Sequence, residues 1–330
     1  KRGEKAHDGL LLLRWHGSSV SPTLLVLSPL RPISSRMSPD LSRHESRGLS
    51  YLRGGSGTPL LLLHGLAGSS HTWAPVGERL ASEYDVIIPD LSGFGHSDGL
   101  RDDLHLDHEF YMEAHAETIR GLLDDLDVET FILGGHDFGG AVALTLLRLF
   151  PAHTPKGLVL SAAPLFADAP APWPLRLAGT PGVGRLLVRL VAGTRLGLRL
   201  LYWAAAHNKA TFGRSAFERH LTPSGIEQTR RIAQRNLTDA QGNAAALEAL
   251  LPRLDVPTLV LCGDGDPLSP VDNAKQLVRT LPDATLVIFE ETGHFVPEER
   301  PDGVSWHIED FFRTRSSRSP RPVWERWSSS

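Results

Sequence analysis

Residues 132–143 read Ile-Leu-Gly-Gly-His-Asp-Phe-Gly-Gly-Ala-Val-Ala, and this stretch decides the fold. An apolar run enters it, Gly135 and Gly139 lie two positions either side of Asp137, and a segment rich in Ala and Leu leaves it. The pattern predicts a strand, a sharp turn that presents a nucleophile, and a helix. Glycines suit these positions because they lack a Cβ and let the two backbones approach. The nucleophile position holds aspartate where serine is usual, so the functional interpretation depends on that residue.

The composition is that of a globular protein, with 41% hydrophobic and 22% charged residues in 330. This length suits one large α/β domain with an inserted subdomain, or two ordinary domains. A formal net charge of −4 gives no reason to expect nucleic acid or an anionic membrane as partner. The single cysteine, Cys262, excludes an intrachain disulfide and suits a reducing cytosol. We therefore expect a cytoplasmic monomer or homodimer that acts on a small molecule.

The two ends differ in composition from the rest of the chain. Residues 1–36 mix short apolar bursts with Ser, Pro and Arg, without a helical or strand period and without the order of a signal peptide. We expect them to be an N-terminal extension outside the fold, which would then start near Met37. Residues 316–330 are rich in Ser, Arg and Pro and predict a disordered tail.

Between the ends, short apolar runs typical of buried strands alternate with stretches of helical spacing. The runs are 59–63, 86–88, 157–161, 257–261 and 285–289, and the helical stretches are 73–83, 108–126, 272–281 and 303–312. This alternation predicts an α/β fold with a mostly parallel sheet and helices on both faces. The alternation of strands and helices stops at 164–251. This segment has five prolines from Pro164 to Pro181 inclusive, and stretches rich in Leu, Arg and Ala follow them. We predict a helical insertion there, and a core formed by 37–163 and 252–315.

Three predicted strands are each followed by a loop with a candidate catalytic residue. They are Asp137, a carboxylate in 263–267, and His294 in 291–297. The carboxyl ends of parallel strands meet at one edge of a sheet, so we expect these residues to converge. Their order is that of a nucleophile–acid–histidine triad. With His64-Gly65 and the glycine loop at 93–97 also in place, the chain from about 41 to 313 resembles the α/β-hydrolase fold superfamily, which implies an inserted helical cap at 164–251.

Within that superfamily, the aspartate at the elbow resembles the nucleophile motif of epoxide hydrolases and haloalkane dehalogenases. A carboxylate can displace an alkoxide or a halide from saturated carbon and form an alkyl-enzyme ester. His294 would then activate the water that hydrolyses the ester. The resemblance implies an oxyanion hole from the backbone N–H groups of Leu66 and Phe138, and no cofactor. The family spacing selects Asp266 as the partner of His294, leaving Asp264 as a turn residue.

The choice of substrate depends on the cap and on the residue after the nucleophile. Epoxide hydrolases typically use two cap tyrosines, and Tyr202 is the one tyrosine in this predicted cap, where it could also be a core aromatic. Tyr111 or His207 could supply a second donor, and we expect Trp203 and Tyr111 to line an apolar pocket.

Haloalkane dehalogenases usually place tryptophan after the nucleophile to hold the halide, whereas this chain has Phe138, which has no donor. Trp173 and Trp203 in the cap could replace it, and some dehalogenases place their acid where Asp168 lies. The pattern favours epoxide opening, with dehalogenation as the alternative. A binding protein without turnover is a second alternative, in which Asp137 only caps its helix. The acidic and His-containing run 101–108 matches no metal pattern, and we predict no metal.

Overall fold

The computed structural model describes residues 10–16, 40–100, 111–163, 165, 186, 190–209 and 214–316. The described strands are β1 Leu10–His16, β2 Ser42–Ser46, β3 Leu49–Gly55, β4 Thr58–Leu63, β5 Tyr84–Pro89, β6 Ile132–His136, β7 Gly157–Ser161, β8 Thr258–Gly263 and β9 Asp283–Phe289. The described helices are α1 Ala74–Leu80, α2 Tyr111–Asp125, α3 Phe138–Leu149, α4 Arg195–Ala205, α5 Arg214–His220, α6 Pro223–Leu250, α7 Val271–Thr280, α8 Val296–Glu299 and α9 Pro301–Ser316.

The strands form one sheet in the order β1-β9-β8-β7-β6-β4-β5-β3-β2. The six strands from β9 to β5 in this order pair in parallel, and β1, β2 and β3 pair antiparallel at the two ends. This architecture confirms the predicted mostly parallel sheet flanked by helices. The carboxyl ends of β4, β6, β8 and β9 therefore share one edge, from which the loops with the candidate residues emerge.

Strand β4 shows why the apolar runs do not alternate between apolar and polar residues. Leu61 and Leu63 belong to the hydrophobic cluster that includes side chains of α2, α3 and α7. Leu60 and Leu62 belong to the cluster that includes side chains of α1 and α9. Since both faces of the sheet are covered, every position from Leu60 to Leu63 is buried, as in other parallel sheets.

The sequence analysis expected residues 1–36 to lie outside the fold, but residues 10–16 form strand β1 of the sheet. Leu10–His16 pairs antiparallel with β9, with Leu10 opposite Phe289 and His16 opposite Asp283. Without β1, β9 would present a row of unpaired N–H and C=O groups, which an extended segment can pair. The apolar burst at 10–13 therefore belongs to an edge strand. The other residues of 1–36 and residues 317–330 lie outside the described part of the chain.

The described part of 164–251 contains helices α4, α5 and α6 and no strand. Thr194 and Thr222 cap α4 and α6, because their side-chain oxygens accept hydrogen bonds from the backbone N–H groups of Gly197 and Gly225 at 3.1 Å. Asp168 and Trp173, two of the alternatives weighed from the sequence, lie outside the described residues.

Candidate active site

The turn between β6 and α3 holds Asp137 in a strained backbone conformation, with φ 49° and ψ −119°. Such a conformation costs a non-glycine residue of order 1–3 kcal/mol, and such strain clusters at functional sites. A Cβ on Gly135 would lie 2.4 Å from the carbonyl oxygen of Gly139, and one on Gly139 would lie 2.5 Å from that of Leu63. Strand, helix and the neighbouring strand β4 thus approach too closely for side chains at the two glycines.

The carboxylate of Asp137 has different partners on its two oxygens. Oδ2 accepts a hydrogen bond of 2.9 Å from the backbone N–H of Leu66, in the loop that follows β4. Oδ1 lies 3.8 Å from Nε2 of His294, and the side chain is 20% exposed. One of the two expected oxyanion donors therefore already holds the carboxylate in this state. Phe138, the other, is the first residue of α3, where a helix leaves its N–H groups without an internal partner.

Asp266 is the carboxylate that contacts the histidine. Its Oδ2 lies 2.9 Å from Nδ1 of His294. Its Oδ1 accepts hydrogen bonds from the backbone N–H groups of Leu268 and Ser269, at 2.7 and 3.0 Å, so the buried carboxylate is fixed at both oxygens. Asp264 accepts instead from the backbone N–H of Thr292, at 3.3 Å. The neighbouring strands β8 and β9 thus bring together the pair that the family spacing selected.

The electrostatics of the site favour a charged imidazole at rest. Burial lowers the pKa of His294, but the charge and hydrogen bond of Asp266, with the charge of Asp137, outweigh it and raise this pKa to about 9. The ring of His136 lies 4.9 Å from that of His294, centroid to centroid. Burial, then repulsion from His294, keeps the pKa of His136 well below its usual value. His136 is therefore a neutral neighbour. The sequence interpretation missed His136, although its place directly before Asp137 was the available signal.

His64 holds two loops together and takes no part in the triad. Its Nε2 accepts a hydrogen bond of 2.9 Å from the backbone N–H of Leu91, and its Nδ1 lies 2.8 Å from the carbonyl oxygen of Gly65. Burial lowers the pKa of His64 to about 4, so the ring is neutral. The ring of His96 is exposed, and its backbone N–H bonds the carboxylate of Asp90.

Tyr202, on α4, connects the helical insertion to the loops that carry Leu66 and His294. Its hydroxyl donates a hydrogen bond of 2.8 Å to the carbonyl oxygen of Ala67, the residue after Leu66. Its ring stacks on Phe295, the residue after His294, with centroids 4.5 Å apart. Burial, followed by the charges of Glu298 and Asp137, raises the pKa of Tyr202 well above its usual value. In this state Tyr202 is a packed aromatic whose proton is held by Ala67.

The expectation that Trp203 lines the pocket does not agree with the structure. Trp203 is 56% exposed, and Nζ of Lys209 lies 4.6 Å from its ring centroid. Consecutive residues of a helix point about 100° apart, so burial of Tyr202 turns Trp203 outward. Tyr111 is buried, and its ring meets that of His115 edge-on at 5.4 Å. The ring of His115 in turn meets that of Phe138 at 5.5 Å, so Tyr111 is one ring removed from the elbow.

A buried polar network that the sequence interpretation missed joins the insertion to the core. In His220, at the end of α5, Nδ1 lies 3.0 Å from Oγ of Ser69 and Nε2 lies 3.2 Å from Oε2 of Glu298. Ser69 follows β4 in the chain, and Glu298 lies in α8, just after His294. The network therefore fastens α5 to the two loops that carry Leu66 and His294.

Within the described residues, no group of three or more His, Cys, Asp or Glu side chains is arranged to hold a metal ion. Among the described helices, none combines the length and apolar character that crossing a membrane requires. The run 101–108 lies outside the described part of the chain.

A family model described as the alpha/beta hydrolase fold matches residues 58–301. Uncharacterized protein Rv2715 of Mycobacterium tuberculosis is 28% identical over 312 residues, which cover 86% of this chain and 84% of that protein. A putative lipase from Acinetobacter baumannii superposes with a TM-score of 0.72 at 24% identity, covering 86% of this chain and 94% of that one. The epoxide hydrolase CorEH superposes with a TM-score of 0.68 at 24% identity, covering 83% of this chain and 99% of that one. At such identities the two structures show a shared fold.

Proposed function

The chain belongs to the alpha/beta hydrolase fold family, and on that premise we propose that this hydrolase opens an epoxide to a vicinal diol through a covalent ester on Asp137. The observation that carries the proposal is the carboxylate of Asp137, held at Oδ2 by the N–H of Leu66 and facing Nε2 of His294 with Oδ1. This arrangement leaves one carboxylate oxygen for attack and keeps the other in the oxyanion position.

In the first step, Oδ1 of Asp137 attacks an epoxide carbon and the carbon–oxygen bond of the ring breaks. The product is an alkyl ester of Asp137 and an alkoxide that takes up one proton. Oδ2 becomes the carbonyl oxygen of the ester and keeps its hydrogen bond to Leu66. A serine at this position would form a stable ether with the same substrate, which is why aspartate suits attack on saturated carbon.

In the second step, His294 removes a proton from water, and the hydroxide attacks Cγ of Asp137. Negative charge develops on Oδ2, where the N–H groups of Leu66 and Phe138 are proposed to stabilise it. The bond between Cγ and Oδ1 then breaks, and Oδ1 leaves in the diol with the proton of the hydroxide that attacked, which regenerates the carboxylate. The proton that His294 took from water replaces the one that the alkoxide took up in the first step. Asp266 holds His294 through Nδ1, so that Nε2 faces the ester.

The proton for the alkoxide must come from the side of the pocket opposite Oδ1, because displacement at saturated carbon is in line. We assign this role to Tyr202. Its hydroxyl bonds Ala67 at rest and would exchange that carbonyl for the alkoxide, since catalytic hydrogen bonds often form only in the substrate complex. The proposed substrate is small and apolar, as the buried aromatic rings of Tyr111, His115 and Phe138 beside the elbow suggest.

Two observations favour epoxide opening over its alternatives. Phe138 offers no side-chain donor for a leaving halide next to the nucleophile. His294 is hydrogen-bonded to Asp266 and lies 3.8 Å from Asp137. These are the base, the acid and the nucleophile that the reaction needs, and a protein that only binds ligands would not need all three. We place the enzyme in the cytoplasm, in keeping with the free, buried thiol of Cys262.

The deciding experiment is a single turnover of an alkyl epoxide in heavy-oxygen water. We expect the label in the carboxylate of Asp137 and an unlabelled diol, with labelled diol only in later turnovers. The His294→Ala variant should trap the ester on the peptide that contains Asp137. Asp137→Ala should form no adduct and no diol while it melts like the wild type. Absence of the adduct in His294→Ala would refute the covalent mechanism.

The substrate class is tested by a parallel rate comparison of epoxides, haloalkanes, haloacetates and esters. Epoxides should be the best substrates, and esters should react poorly because a carboxylate is a weak acyl nucleophile. Faster reaction of a haloalkane, with halide release, would replace epoxide opening by dehalogenation and leave the ester mechanism in place.

A further inference from the structure

An exposed apolar surface lies on the outside of the helical insertion. We call it the cap stripe and define it by five residues that are 56% to 68% exposed: Leu186, Leu190, Leu196, Leu200 and Trp203. The last three lie at positions i, i+4 and i+7 of α4, so they share one helix face. Exposed apolar patches of this kind commonly mark a site of interaction.

The two halves of the cap stripe are fastened to each other. Oγ1 of Thr194 donates a hydrogen bond to the carbonyl oxygen of Leu190 and accepts one from the N–H of Gly197. A Cβ on Gly197 would lie 2.5 Å from the carbonyl oxygen of Leu190. The segment before α4 therefore packs against α4 itself, and Leu190 is held next to the helix that carries Leu196 and Leu200.

The opposite face of α4 is already occupied. Leu198, Tyr202 and Ala205 are buried, and they form a cluster with residues of the core loops, among them Ala67 and Phe295. A helix on the surface of a protein in water normally has a polar outer face. Helix α4 is apolar on its outer face as well, so its sequence suits two apolar environments.

The sequence segment that contains the cap stripe is basic. Residues 169–217 contain no Asp or Glu and seven Lys or Arg residues, although the whole chain has a net charge of −4: Arg176, Arg185, Arg189, Arg195, Arg199, Lys209 and Arg214. The last four of these belong to the described part of the chain. Arg195 and Arg199 are exposed and directly precede Leu196 and Leu200. The ammonium group of Lys209 lies over the ring of Trp203. The apolar surface is thus bordered by positive charge.

We propose that the cap stripe binds the surface of an anionic phospholipid membrane. Leucine and tryptophan side chains would enter the interface between headgroups and acyl chains, and the flanking cations would bind anionic headgroups, as in helices that lie in the membrane plane. A second copy of the chain fits less well, because two basic caps would face each other. The sequence analysis expected no membrane partner because the net charge of the whole chain is negative. That sum hides the local excess of positive charge in residues 169–217.

Membrane binding would place the active site close to the lipid surface. Trp203 on the outer face of α4 is adjacent in sequence to Tyr202, which bonds Ala67 and stacks on Phe295. An apolar substrate dissolved in the bilayer would then be concentrated beside the helical insertion. The binding itself does not depend on the reaction at Asp137, so the two proposals can fail separately.

The test is co-sedimentation of the full chain with vesicles of phosphatidylcholine alone and of phosphatidylcholine mixed with phosphatidylglycerol. We expect binding to the mixed vesicles and little to the neutral ones. Arg195→Glu with Arg199→Glu should weaken binding by at least about 25-fold, taking about fivefold for each cation lost at an anionic surface. Leu196→Gln with Leu200→Gln should weaken binding at unchanged charge.

The matched control is Lys156→Glu with Arg253→Glu, which changes the net charge equally at exposed positions outside the insertion. It should bind like the wild type. The emission of Trp203 is the wild-type spectrum minus the spectrum of Trp203→Phe. Its maximum should shift to shorter wavelength when mixed vesicles are added. Absence of binding to mixed vesicles, equal binding by the charge-reversed stripe variant, or a dimer that buries Trp203 without vesicles would each overturn the proposal. Circular dichroism checks that every variant is folded.

Discussion

The backbone N–H of Leu66 donates a 2.9 Å hydrogen bond to Oδ2 of Asp137, across 71 positions of sequence. This bond gives the two carboxylate oxygens of Asp137, the proposed nucleophile, different partners. Oδ2 is fixed where the oxyanion of the hydrolysis step would develop, and Oδ1 remains on the side of Nε2 of His294. The geometry of the site therefore fits the nucleophilic role proposed for Asp137.

Replacing Asp266 by Asn should slow hydrolysis of the alkyl-enzyme ester by about 10²- to 10⁴-fold, the usual size of an acid–base contribution. The reason is that Asp266 both orients His294 and raises its basicity. Asp264→Asn is the matched control two residues away and should keep the rate within a few-fold. Rapid-quench measurement of ester decay checks both variants, and equal losses in the two would remove the special role of Asp266.

The pKa of His294, about 9 in the resting enzyme, should fall in Asp137→Asn. Loss of the negative charge next to Nε2 disfavours the imidazolium, as ester formation on Asp137 would do during turnover. The neutral ring needed as a base would therefore become available at lower pH in the intermediate than in the free enzyme. An NMR titration of His294 measures this pKa. Glu78→Gln, on the exposed side of α1, should leave the pKa of His294 unchanged.

Tyr202→Phe tests whether the hydroxyl serves chemistry as well as packing. If Tyr202 protonates the alkoxide, ester formation should slow by about 10- to 1000-fold while ester hydrolysis keeps its rate. The lost bond to Ala67 should also cost about 1–3 kcal/mol of unfolding free energy, because a buried carbonyl loses its partner. Single-turnover kinetics and thermal melting separate the two effects. A stability loss with an unchanged rate of ester formation would leave Tyr202 with the packing role alone.

His115→Leu should stabilise the protein by about 1 kcal/mol or more. His115 is fully buried, neither ring nitrogen has a hydrogen-bond partner among the described residues, and burial lowers its pKa to about 3. An unsatisfied buried polar group costs about 1–3 kcal/mol, which an apolar side chain of similar size avoids. Chemical denaturation measures the change. Lower stability or a large loss of epoxide turnover would show that the ring nitrogens bind a group in the working enzyme.

The sequence by itself determined the succession of strands and helices along the chain and the residue types in the turn between β6 and α3. Apolar runs without alternation, such as residues 60–63, require strands covered on both faces, and Gly135 and Gly139 require a close approach at a turn. Aspartate at position 137 is the residue from which the proposed attack on saturated carbon was predicted. These features are local, because propensity, periodicity and residue type are written in consecutive residues.

The tertiary structure alone decided which side chains meet. It placed Asp266 rather than Asp264 on His294, put the hydroxyl of Tyr202 on Ala67, and brought His136 beside the histidine of the triad. It also turned Trp203 outward and paired residues 10–16 with β9. Such contacts join residues tens to hundreds of positions apart, and they follow from helix rotation and strand pairing, which depend on the packing of the whole chain.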